Sequence, residues 1–115
     1  MDLKRIGDGA HYSEVIEHNG ILYLSGQVNT ETSEIRSQSK AIFAEIDRLL
    51  AENSSDKEHI LFATLYLSDA ANFEGMNAEW DAWLPVGSRP ARACIITGMA
   101  APEILLEVVV TAAKK

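Results

Sequence analysis

Two oppositely charged side chains set in apolar surroundings carry the chemistry this chain could do. Glu107 stands alone in the run Ile104-Leu105-Leu106-Glu107-Val108-Val109-Val110, fifteen residues after Arg92 in Arg89-Pro90-Ala91-Arg92-Ala93-Cys94. A run this apolar reads as a strand covered on both faces, where an unpaired carboxylate costs several kcal/mol, roughly, in desolvation. Glu107 therefore needs a partner or a purpose. A guanidinium is always charged and presents a flat fork of donors that suits a planar carboxylate, so Arg92 is the candidate to grip either Glu107 or a ligand acid. An internal ion pair between two strands is the competing structural account, because buried charges are usually paired.

Other reactive residue types form no comparable constellation. His11, His18 and His59 occur singly, with no ligand-like spacing to one another or to Cys94, and a zinc site is not expected. Cys94 as a nucleophile needs a base that the sequence does not pair with it, and a small buried thiol is the commoner role. Trp80 and Trp83 fall on one apolar helical face, where core packing is the ordinary explanation. Ser25-Gly26-Gln27 is too short to cradle a phosphate.

The elements that must position these residues follow from turn signals and periodicity. His18-Asn19-Gly20 separates two extended stretches, 12 to 17 and 21 to 28, and Asn-Gly is the strongest short hairpin signal. A two-residue turn there sets Tyr12 opposite Gln27 and diagonal to Ser25, so that polar groups converge on one face of the pair. From about 33 to 52, Ile35, Ile42, Phe43, Ile46, Leu49 and Leu50 trace one helical stripe, with Thr30, Thr32 and Ser33 as candidate caps. Residues 59 to 67 are apolar on both parities and predict a central strand. Asp69 or Asn72 would cap a second helix bearing Phe73, Met76, Trp80, Trp83 and Leu84, stopped by Pro85 and Gly87. Two strands follow near 89 to 98 and 104 to 112. If they form a hairpin centred on Ala100 and Ala101, Cys94 faces Glu107 and Arg92 lies diagonal to it. The order is βββ-α-β-α-ββ, an α+β layer with helices on one face of a mixed sheet. The second face of that sheet also needs cover, which predicts a homo-oligomer.

Composition bounds the partners. The 115 residues suffice for one core, so a single domain over residues 1–115 is expected, with any site on it or between copies of it. A net charge of −7 and the absence of any Lys/Arg cluster argue against nucleic acid, since no basic stripe replaces counterions. One cysteine allows no internal disulfide, and neither an apolar signal segment nor a stretch of roughly 20 apolar residues occurs. The expectation is a soluble cytoplasmic protein without membrane partners.

Taken in order, Tyr12-Ser13-Glu14, Leu24-Ser25-Gly26-Gln27-Val28, Asn72-Phe73 through Asn77-Ala78, Arg89-Pro90-Ala91-Arg92-Ala93-Cys94 and Leu106-Glu107-Val108 resemble the successive signatures of the Rid (YjgF-like) family of reactive-intermediate deaminases. The resemblance covers nearly the whole chain. It implies a chorismate-mutase-like protomer, a homotrimer whose sheets line a central barrel, and active sites in clefts between subunits. It also implies hydrolysis of 2-imino acids, or their enamine tautomers released by pyridoxal-phosphate enzymes, to 2-oxo acids and ammonia, with no cofactor and no metal. By resemblance Arg92 binds the substrate carboxylate and Glu107 activates water. Tyr12 and Ser25 complete the polar wall, the backbones of Gly26 and Cys94 approach the ligand, and Asn77 lies near the same cleft. A non-catalytic, carboxylate-binding or regulatory member of the family is the alternative.

Overall fold

In the computed structural model, which describes residues 2–115, Asn19 and Gly20 take φ values of 54° and 79°. These are the paired left-handed conformations of a type I′ turn. They close β2 (Ser13–His18) onto β3 (Ile21–Leu24), with His18 opposite Ile21 and Val15 opposite Leu24, the register expected from the turn. That register lapses beyond Leu24. Ser25 still donates its N–H to the Glu14 carbonyl, but Gln27 leaves β2 and bridges Val108 instead, so Tyr12 does not face Gln27. The short β1 (Leu3–Asp8) pairs antiparallel with the outer side of β2.

The helical stripe forms α1 (Ile35–Glu52), and all six of its apolar positions are buried. Its cap is neither of the threonines nor Ser33: the Glu34 carboxylate reaches forward to accept the Ser37 N–H at 2.9 Å. A carboxylate satisfies an orphan donor there and also favours the positive end of the helix dipole. A 3-10 turn, Lys57–His59, leads into β4 (Ile60–Leu67). Asp69 then caps a second 3-10 turn through the Ala71 N–H, and α2 (Phe73–Trp83) begins from Asn72, which supplies no side-chain cap. Phe43 stacks flat on Trp83 at 4.4 Å, and Trp80 meets both edge-on, which locks α2 against α1.

The last two strands, β5 (Ala91–Ile96) and β6 (Leu106–Ala113), do not form a hairpin. The sheet order is β1-β2-β3-β6-β4-β5: β5 runs parallel to β4 at the edge, and β6 inserts antiparallel between β3 and β4. The physical reason lies in the sequences of the strands. The run around Val108, apolar on both parities, takes a central place, while the shorter β5 can stand at an edge. Leu106, Val108, Val110 and Ala112 of β6, with Ala63, Leu65 and Leu67 of β4, are buried beneath the helices. Glu107, Val109 and Thr111 alternate with them onto the open face, beside Thr64 and Tyr66. Tyr23, Phe62 and Ile95 on the same open face remain exposed.

Candidate functional site

Glu107 lies one pair from the Leu67–Leu106 end of the β4–β6 ladder, opposite Tyr66, and is half-buried. Its carboxylate rests against Gly26, where a Cβ would collide with Oε2 and lie 2.9 Å from Cδ. Glycine at this point therefore leaves the Glu107 carboxylate its place against the segment after β3. The approach is held by the Gln27–Val108 bridge, whose two N–H···O bonds measure 2.9 and 3.1 Å. Around the carboxylate opens a hollow of about 400 Å³ lined by Tyr12, Ser25, Gly26, Val28, Ala100 and Ile104. Ser25 Oγ donates to the Ser13 carbonyl at 2.6 Å, which fixes its hydroxyl at the junction of β2 and β3. Tyr12 stands largely exposed at the rim. A second hollow of about 340 Å³ flanks the other side of Glu107, lined by Tyr66, Thr97, Met99 and Val109.

Arg92 belongs to a different neighbourhood. The β5 register places it beside Ala63, and its side chain turns toward α2. Nη1 donates to Asn77 Oδ1 at 2.7 Å. The guanidinium carbon sits 5.1 Å from the centre of the Trp80 ring and 5.9 Å from that of Phe73. An amide on one corner and two aromatic rings hold the fork without neutralising it. Among the described residues no carboxylate lies within ion-pair distance of Arg92, and no cation lies within that distance of Glu107. The internal ion pair is therefore not made. Both charges are left for something else.

The sheet topology explains why. Arg92 aligns with Ala63 and Ala63 with Val110, so Glu107 stands two strands across and three residues along. That is roughly 14 Å between backbones for ordinary strand spacing and rise. The two side chains also leave opposite faces of the sheet, and Cys94 pairs with Leu65 rather than facing Glu107. Of the seven expected site residues, Tyr12, Ser25, Gly26 and Glu107 come together in one hollow. Asn77 and Arg92 form a separate group under α2, with Cys94 two residues along the same face of β5.

The model for the family described as Endoribonuclease L-PSP matches residues 3–114. A RutC family protein of Haemophilus ducreyi is 40% identical over 112 residues, 96% of each chain. The RutC family protein YoaB of Escherichia coli is 34% identical over 113 residues, 98% of this chain and 99% of its own. The chain belongs to the Rid family, also called YjgF-like or RutC. The crystal structure of a YjgF-family protein from Neisseria meningitidis agrees with the fold at a TM-score of 0.96 and 42% identity, covering 100% of this chain and 97% of that one.

Within this Rid protomer, burial pushes the Cys94 thiol up, and the nearby Arg92 charge only offsets part of that. A thiol held in its neutral form is not a prepared nucleophile, which agrees with a packing role for the side chain. Two contributions escaped the sequence reading. Trp80 is buried as expected, yet it also serves as the platform under Arg92. Gln38 is fully buried and ties together the segments that wall the Glu107 hollow. Its signal was available: a glutamine three residues after Ile35 falls on the apolar stripe of α1.

Proposed function

We propose that this protein hydrolyses small 2-imino acids, or their enamine tautomers, to 2-oxo acids and ammonia. The observation that carries the reading is an arginine, held by Asn77 and Trp80, whose charge no carboxylate of the described residues meets. With one Nη1 proton occupied by Asn77, the remaining N–H groups are available to a substrate carboxylate in two-pronged geometry. Such charge-assisted bonds are worth about 1.5–3 kcal/mol each, enough to select an acid over a neutral imine.

Glu107 takes the second role. As a water attacks the carbon of the protonated imine, the carboxylate accepts one water proton and hands it to the nitrogen; the carbinolamine then collapses, its C=O forming and its C–N bond breaking to release ammonia as the carboxylate takes the hydroxyl proton. Imines already hydrolyse in water, so orientation and a placed base suffice, and no covalent intermediate is required. Tyr12, Ser25 and the Gly26 backbone line the space around the reacting carbon, and the Cys94 backbone borders the carboxylate end. Because Arg92 and Glu107 leave opposite faces of one protomer, the working site joins the Arg92 group of one copy to the Glu107 hollow of another. The assembly in this reading is a homotrimer packed through the open face of the sheet. Its substrates would come from pyridoxal-phosphate enzymes that release enamines, and the reaction calls on no cofactor.

The family description names an endoribonuclease, but a chain of net charge −7 without a basic stripe is poorly suited to phosphate backbones. A non-catalytic carboxylate binder is the rival, because the Arg92 group alone suffices for binding. The test is the decay of 2-iminobutanoate, generated in place by an amino-acid oxidase and trapped with semicarbazide. The native protein is expected to accelerate decay, and Arg92→Ala to abolish the acceleration. No acceleration, with 2-oxobutanoate still raising the thermal midpoint of the native protein, would establish the binder instead.

A further inference from the structure

We propose that Gln38 is a positioning residue that sets the width of the Glu107 hollow without touching its contents. The inference rests on reading that hollow as the imino-acid site. Gln38 sits in the first turn of α1, with its side chain fully buried. Nε2 donates to two carbonyls, Thr32 at 2.8 Å and Glu103 at 3.0 Å, while Oε1 accepts the Leu105 N–H at 3.1 Å. Two acceptors and one donor around the amide allow only one orientation of its oxygen and nitrogen, so the assignment follows from the partners themselves.

The partners are the point. Thr32 belongs to the segment after β3 that brings Ser25, Gly26 and Val28 to the hollow. Glu103 and Leu105 belong to the segment before β6 that brings Ala100 and Ile104. These two walls meet at the Gln27–Val108 bridge at their base, and Gln38 is a second tie, made from behind through a side chain. Glu107 itself is held in the β4–β6 ladder and does not depend on this tie. Loss of the amide should therefore loosen the wall that contacts the body of a ligand while leaving the reacting carboxylate in place.

The experiment combines amide hydrogen exchange with kinetics on the full-length native protein, Gln38→Met, Gln38→Glu and the core control Ile46→Val. In the native protein the Leu105 amide is expected to exchange as slowly as amides inside β6. In Gln38→Met, amides 100–105 should exchange at least about tenfold faster, with β4 unchanged. KM for 2-iminobutanoate should rise about fivefold or more, with kcat within about twofold. Ile46→Val should lower thermal stability and change neither reading. If Gln38→Met fails to fold, Gln38→Glu keeps the volume and removes the donors. A Leu105 amide that exchanges freely in the native protein, or even loosening with an unchanged KM, would overturn the inference. Exchange and the affinity for 2-oxobutanoate need no turnover, so a protein that binds without hydrolysing sinks the deaminase reading and leaves this one to be decided by its own data.

Discussion

Asn77 decides whether Arg92 is available, because its amide oxygen orients the guanidinium through a 2.7 Å bond without cancelling its charge. Asn77→Asp would convert that contact into a charge-assisted pair and satisfy Arg92 internally. The expected outcome is an unchanged or higher thermal midpoint, with affinity for 2-oxobutanoate reduced about tenfold or more by calorimetry, a loss of about 1.4 kcal/mol. A variant that bound as well as the native protein would remove Arg92 from the carboxylate site. On the other half-site, Gly26→Ala puts a methyl into the space held by the Glu107 carboxylate. Turnover should fall at least about tenfold while circular dichroism stays native, because the clash falls on one movable side chain. Arg92 and Glu107 were legible in the sequence because charges in apolar runs demand an explanation. Their separation was not legible, since it depends on which strand lies between them.

At the scale of elements, periodicity and turn chemistry carried most of the fold. The stripe of α1, the aromatic face of α2 and the Asn19–Gly20 turn each follow from local rules, and each stands where expected. Gly20, at φ 79° with open space around it, isolates the turn's contribution from packing. Gly20→Ala should destabilise the fold by about 1 kcal/mol, the ordinary cost of a left-handed alanine, measured by urea unfolding. A loss near zero would mean that tertiary packing rather than the turn holds the register. The pairing of β5 with β6 failed as an expectation because strand neighbours in a sheet are a non-local choice. A crossover through α2 places β5 parallel to β4, and no residue of the 97–105 connection announces that β6 will pass to the far side of β4. The same holds for Gln38, whose position on the stripe is local but whose three partners lie six to sixty-seven residues away.

For the whole molecule, the open face of the sheet bears on the proposed assembly. Tyr23, Phe62 and Ile95 lie exposed together on that one face, which favours cover by further copies. Among the described residues no helix is long and apolar enough to cross a membrane. Mixing inactive variants tests assembly and site together. Arg92→Ala retains a sound Glu107 hollow, and Glu107→Ala retains a sound Arg92 group. If each site takes one group from each of two neighbouring copies in a closed ring, unfolding and refolding the two variants in equal amounts should recover about a quarter of native activity, since one random neighbour pair in four has both groups intact. Each variant refolded alone should show none. A site contained in one chain predicts no recovery from the mixture, because no subunit then carries both groups. The recovered activity should also elute with a species of three chains on sizing, and activity confined to a monomer would separate the chemistry from the open face altogether.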